Sequence, residues 1–220
     1  QGLETSVQDY PGRVGYLNQG FPPSGPMDSW SFRLANLLVN NDESEGALEC
    51  QYTGPTLKFE KDQVVAICGA DMQPKVNGKS VPMWESILIK ADQTLELGFS
   101  LNGARSYISF AGGIESNSWL GSKSTFHKAG VGGIDGHAIK KGQKISIGQS
   151  ATRPGRKVRE DCIPNIHNSG LWEIEVVRGP NDDWLDDNGY EIFLNAEWKL
   201  QARSDRTGFR LDGPTLTFNE

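Results

Sequence analysis

The stretch from Gln8 to Asn36, QDYPGRVGYLNQGFPPSGPMDSWSFRLAN, limits the fold more than any other part of this chain. Pro11, Pro22, Pro23 and Pro26 are interspersed with Gly12, Gly15, Gly20 and Gly25, and no simple apolar repeat runs through them. Proline fixes φ and glycine opens the left-handed region, so backbone directions are set residue by residue. Ordering such a polar loop is costly, which implies that it positions something.

The 26 Gly and 11 Pro among 220 residues suit an all-β chain with many turns, as one large domain or two small ones. The net charge of -6, with no basic cluster denser than Arg153 to Arg159, argues against a nucleic-acid surface. No apolar run is long enough to span a membrane, and no signal-like start is present. Cys50, Cys68 and Cys162 are too dispersed for a disulfide framework or a zinc site, and Cys68, within VVAIC, reads as a reduced core thiol. A soluble, cytoplasmic chain is expected. Both ends read as cut: the chain opens on Gln1 and stops inside the strand-like run Thr217 to Glu220.

One helix is expected near Met27 to Asn40, where Trp30, Leu34, Leu37 and Leu38 recur at helical spacing, with Ser24 or Gly25 able to cap it. Strands are expected at 57–59, 64–68, 86–90, 94–97, 107–110 and 144–147, with Asn77-Gly78 closing a tight hairpin over 76–81. Further strands are expected at 172–177, 191–194 and 215–218. Many short strands with regular turns point to a closed barrel or sandwich. The basic, proline-containing run from Gln149 to Pro164 reads as a linker, dividing residues 1–148 from 165–220. GPTLKFE at Gly54 returns as GPTLTFNE at Gly213, either as an internal repeat, which would make the second part an incomplete copy of the first, or as two independent Gly-Pro turns entering strands.

No triad signature, P-loop or metal-ligand spacing is present, and His127, His137 and His167 fall on different loops. Four groups could carry chemistry. Gln8, Asp9 and Arg13, with Ser24, Gly25, Met27 and Asp28 beyond them, come first. Arg13 could bind a carboxylate, and Ser24 with the Gly25 N–H could donate to an oxyanion. Equally, Asp9 could pair with Arg13 while Ser24 and Asp28 cap the helix. Asp71, in Gly69-Ala70-Asp71, ends a buried strand and is either a site carboxylate or a turn residue. Arg105 with Gly112 and Gly113 allows close backbone approach, to a ligand or to another strand. Asp205 and Arg206, in SDRTGFRL, could form an anion site or a structural ion network.

The runs VQDYPGR, PPSGPMD, RLANLLV, GAD, SFAGGI, LGSKSTF, RGP and SDRTGFRLDGP follow one another along nearly the whole chain. In this ordered series the sequence resembles the KipA-like half of biotin-dependent carboxyltransferases. The forms QDYPGR and PPSGPMD are most similar to the urea carboxylase branch.

The resemblance implies mainly β, cyclophilin-like barrel subdomains with one main short helix. It implies transfer of a carboxyl group from carboxybiotin to urea, giving allophanate. The partners implied are a KipI-like subdomain, and a biotinyl carrier domain and a biotin carboxylase domain on the same polypeptide. Biotin would be carried outside this chain, and no metal is implied. Arg13, Ser24, Asp71 and Arg206 become the expected catalytic residues, with Gln8, Gly25, Gly112, Gly113 and Asp205 binding substrate or biotin. Relatives continue past SDRTGFRLDGP, and their spacing near Asp187-Asn188 is longer, so this chain alone is expected to be inactive. A component of ATP-dependent 5-oxoprolinase and a non-catalytic KipA-type regulatory module are the alternatives.

Overall fold

Alternation of apolar residues between two buried faces builds the larger sheet. The computed structural model describes residues 4–166 and 170–219, in two units, 1–168 and 169–220; His167 lies outside the described residues. In the first unit the elements are β1 (Glu4–Gln8), α1 (Ser29–Leu38), β2 (Ala47–Gln51), β3 (Thr56–Lys58), β4 (Gln63–Gly69), β5 (Lys75–Val76), β6 (Lys79–Ser80), β7 (Ser86–Ile89), β8 (Thr94–Glu96) and β9 (Arg105–Phe110). One antiparallel sheet runs β1-β2-β9-β4-β7 and a second runs β3-β8-β5-β6.

On β4, Val64, Ala66 and Cys68 pack with Phe32, Ala35 and Leu38 of α1, while Val65 and Ile67 pack with Leu95 of β8 on the opposite side. A strand buried on both faces reads as a continuous apolar run, which is what VVAIC is. Burying Phe32 or Ile67 fully contributes on the order of 2 kcal/mol each. The hairpin at Asn77-Gly78 forms as expected, with both residues at positive φ (48° and 78°), as a two-residue turn of this hand requires.

The mainly β expectation holds, but the closed-barrel expectation is corrected. Among the described residues of the first unit the strands form two open antiparallel sheets, with β1 and β7 at the edges of the larger. Alternation decides which residues meet a core; it does not decide whether outer strands meet each other. The expected strand at 144–147 reduces to a single bridge between Ile114 and Ile147.

Asp28 caps α1, its carboxylate accepting from the Ser31 N–H at 3.0 Å, so neither Ser24 nor Gly25 is the cap. Residues 149–164, expected as a linker, lie along the first unit. Gly155 donates its N–H to Ser86, Val158 donates to Trp84, and Val158 is buried.

In the second unit, residues 191–194 are helical rather than extended, within α2 (Asp187–Asn195). Asp186 caps that helix through the Gly189 N–H at 2.6 Å, and a short apolar run does not by itself distinguish helix from strand. β10 (Lys199–Leu200) pairs with β11 (Leu211–Asp212). Residues 172–177 form no strand, and the run at 215–218 makes one bridge, Phe218 to Leu185.

Candidate functional site

Two pieces of the N-terminal loop are pressed together. Arg13 donates its backbone N–H to the Pro23 carbonyl at 2.6 Å. Gly12 sits at φ +89°, and a Cβ there would lie 2.4 Å from the same oxygen. Gly25, at φ +78°, would bring a Cβ within 2.8 Å of the Pro11 carbonyl. Conformation and clearance both demand glycine at the two positions. Between them Ser24 is half-buried at φ +55°, a conformation that costs a non-glycine residue energy and persists only where the surroundings enforce it.

Asp9 fastens this loop to a distant turn. It accepts from the Ser122 and Ser124 hydroxyls, from the Lys123 N–H at 2.7 Å and from the Ser124 N–H at 3.0 Å. Arg13 is 1% exposed. Its Nε donates to the Trp119 carbonyl at 3.2 Å, its Nη2 donates to the Ser124 carbonyl at 2.9 Å, and the guanidinium lies over the Trp119 ring. Burial lowers its pKa against the opposing field of Asp9, from a value so high that the group stays charged. The Nη1 atom is buried with no hydrogen-bond partner, as is Oε1 of fully buried Gln8.

The start of α1 is held from below. Met27 donates its N–H to Glu49 Oε2 at 2.9 Å, and Asp28 donates its N–H to the Tyr107 hydroxyl at 2.8 Å. That hydroxyl in turn donates to Glu49 Oε2 at 2.9 Å, and Arg105 Nε lies 3.5 Å from Glu49 Oε1. Glu49 and Tyr107 face each other across β2 and β9. Desolvation, then the Glu49 charge, holds the Tyr107 phenol well above its usual pKa, so it remains a neutral donor. Neither residue was singled out from the sequence. The available sign was a glutamate inside ALECQ, visible as unusual only once that run is recognised as a buried strand.

Beyond Gly69, β4 opens onto a cleft of about 740 Å³ lined by Asp71, Gln73, Trp84, Asn102, Asn165 and Ile166, among others. Gly69 allows the turn: Ala70 donates to the Arg105 carbonyl at 2.7 Å, and a Cβ at Gly69 would lie 2.5 Å from that oxygen. Asp71 is half-buried, accepts from the Gln73 N–H at 2.7 Å, and donates its own N–H to Asn102 Oδ1 at 3.2 Å. Trp84 and Gln73 hold φ of 60° and 52°, so two non-glycine residues with costly backbones border this cleft.

Gly112 and Gly113 sit where neighbours crowd the backbone. A Cβ on Gly112 would lie 2.2 Å from the Gly148 carbonyl oxygen, and one on Gly113 would lie 2.2 Å from the Glu45 side chain. In the second unit, Asp205 and Gly208 form a tight turn around Arg206, with the Thr207 N–H donating to Asp205 Oδ1 at 2.7 Å. Among the described residues no group of three or more His, Cys, Asp or Glu could hold a metal, and no helix is long and apolar enough to cross a membrane. The loop offers a turn with a fixed backbone, and the cleft, which no residue of that loop lines, offers side-chain amides and a carboxylate around a polar cavity.

Comparison with known proteins places this geometry. The family model for the carboxyltransferase domain, subdomains A and B, matches residues 19–220. The urea amidolyase of Saccharomyces cerevisiae is 38% identical over 97% of the chain, which spans only 12% of that relative. A 5-oxoprolinase component of Escherichia coli is 34% identical over 98% of the chain and 67% of its own length. The crystal structure of the Kluyveromyces lactis urea carboxylase superposes with a TM-score of 0.93 at 37% identity, covering 99% of this chain and 20% of that one. The chain therefore belongs to the carboxyltransferase domain family, subdomains A and B.

Proposed function

We propose that this chain forms one wall of a site that transfers a carboxyl group from carboxybiotin to a nitrogen of urea, yielding allophanate. The observation that carries the reading is the 24–28 turn, whose backbone amides are pinned by buried side chains beside the crowded Gly12–Pro23 contact. Carboxyl transfer asks a protein for orientation, water exclusion and oxyanion stabilisation, and a turn whose Met27 and Asp28 amides are anchored internally holds the Ser24 hydroxyl in a fixed position for this. Likeness to urea amidolyase and urea carboxylase favours urea as acceptor.

The residues present fit a biotin ring. The cleft beyond Gly69 has room for a small bicycle, an apolar wall of Val81, Met83 and Trp84, and side-chain amides at Gln73 and Asn102. Trp84 and Asn102 would hold the ring, with Asp71 at its edge. When bound, biotin supplies the activated carboxyl group and a ureido nitrogen that takes up the proton lost by urea. Ser24 donates its hydroxyl to the developing oxyanion, and buried Arg13 contributes the field of its charge. Gln8, fully buried and donating to the Ser6 hydroxyl at 3.0 Å, supports the start of the loop rather than meeting substrate, and Gly25, Gly112 and Gly113 keep backbones close enough to exclude water. In the second unit Arg206, beside Asp205, is assigned to carboxylate binding.

We place the facing wall on a KipI-like region. The biotinyl carrier and biotin carboxylase domains belong to the same polypeptide, which works in the cytoplasm. The test is urea-dependent ATP hydrolysis by the full-length polypeptide, with and without avidin. Stimulation by urea that avidin abolishes is expected. Stimulation by 5-oxoproline instead would move the chain to the 5-oxoprolinase reading, which its coverage of two thirds of that relative keeps in play. Response to neither would leave the regulatory-module reading.

A further inference from the structure

A buried polar pair of the first unit, Glu49 and Tyr107, lies where the loop enters α1. Glu49 is 4% exposed and Tyr107 is fully buried, and burying a carboxylate is costly unless something compensates. Its compensation is specific. Oε2 receives the Met27 N–H and the Tyr107 hydroxyl, Oε1 faces Arg105, and the Tyr107 oxygen receives the Asp28 N–H. The chain thus uses a buried charge to fix two successive backbone amides at the one place where the rigid loop enters α1. Asp28 already caps the helix through Ser31, so these contacts are not needed to start it. A hydrophobic pair across β2 and β9 would stabilise the sheet as well or better. What a hydrophobic pair could not do is set the height and direction of the 24–28 turn.

We infer that Glu49 and Tyr107 act as a pair of positioning residues, holding the Ser24–Asp28 turn in register with the transferring carboxyl group. Arg105 extends the same network toward the cleft. Its guanidinium faces Glu49, while its backbone carbonyl receives the Ala70 N–H one residue before Asp71. Hydrogen bonds on either side, joined by the Arg105–Glu49 ion pair at 3.5 Å, therefore connect turn and cleft. Glu49 and Tyr107 touch no reactant; they act through the Met27 and Asp28 amides. This inference rests on the carboxyl-transfer reading for its effect on rate, but not for its effect on the turn.

The experiment uses the full-length polypeptide carrying Tyr107→Phe, Glu49→Leu and both together. Tyr107→Phe keeps the ring and removes one hydroxyl. Deuterium exchange over a peptide covering residues 24–31 should speed up about tenfold or more in each variant, because each loses an anchor of a buried amide. Carboxyl transfer should fall about tenfold in kcat with KM for urea unchanged, while carboxylation of biotin stays at the parent rate. The double variant should lose little more than either single one, since both act on one turn. Glu49→Gln keeps an acceptor at full reach for the Met27 amide and should recover part of the loss, more than Glu49→Asp, whose carboxylate falls short. Unchanged exchange at 24–31 overturns the inference, as do strictly additive losses or a change confined to KM. If the parent protein shows no urea-driven turnover, the functional reading fails, and the exchange measurement still decides the anchoring.

Discussion

Asp9 accepts a hydrogen bond from the Lys123 amide at 2.7 Å across 114 residues of chain, tying the start of the rigid loop to the Ser122–Ser124 turn. Three further donors from the two serines converge on the same carboxylate. Asp9→Ala takes the acceptor from the partly buried Lys123 N–H and Ser122 hydroxyl, while the Ser124 N–H keeps Ser122 Oγ and the Ser124 hydroxyl keeps the residue-9 carbonyl. The cost should be about 3 kcal/mol, since a buried donor left unsatisfied loses its full desolvation energy. Denaturant unfolding checks this; a midpoint equal to that of the parent protein would show the cluster to be dispensable.

Gly12→Ala should abolish carboxyl transfer while sparing biotin carboxylation. The new methyl would meet the Pro23 carbonyl at 2.4 Å in a backbone conformation that alanine resists. Gly78→Ala is the matched control. It also has positive φ, but nothing lies within 4 Å, so it should cost only about 1 kcal/mol and no activity. Equal activity in the two variants would mean that the close approach does not matter.

Asp28→Ala should destabilise α1 by about 1 kcal/mol, and Asp28→Asn should restore most of the loss, because the cap needs a side-chain acceptor for Ser31. Helical circular dichroism during thermal unfolding reads the difference. Identical curves for the alanine and asparagine variants would contradict the capping role.

Burial pushes the Cys50 thiol up to about 12 and raises Cys68 as well, whereas Cys162 is half-buried. Near neutral pH an alkylating agent should therefore label Cys162 alone until the chain unfolds. The sign of the pH effect follows. Unfolded, Cys50 ionises near its ordinary 9.0; folded, it stays protonated to about 12. Its stabilising contribution is complete below about 9 and is lost as pH rises from there toward 12. Unfolding midpoints that stay flat across that window would show that the thiol is more accessible than its burial indicates.

Local rules made part of this protein legible. The apolar run of β4, the Asn77-Gly78 hairpin and the helix following PPSGPMD depend on neighbours in sequence, and each formed where sequence alone predicts it. The second unit was less legible for the same reason in reverse. EIFL suits strand or helix alike, and only the Asp186 cap and its Thr217 contact make it α2. Residues 172–177 have a strand pattern, but a pattern does not provide a ladder partner.

The candidate site shows the same division more sharply. Arg13 was visible as a cation in a rigid loop, yet its partners, the Trp119 and Ser124 carbonyls, lie 106 and 111 residues away. Glu49 was passed over because the hydroxyl it serves, on Tyr107, is 58 residues distant.

By itself the sequence determined the mainly β character, the first helix and the Asn77-Gly78 hairpin, the restricted backbone of the Gln8–Asp28 loop and, through its ordered motifs, the family. Propensity, turn chemistry and backbone restriction all act over a few residues and survive without a tertiary context. Only the tertiary structure decided that two open sheets form in place of a barrel, and which polar groups are buried and with whom. The reason is desolvation: a buried carboxylate or guanidinium is tolerable only when partners surround it, and strands far apart in the chain bring those partners together.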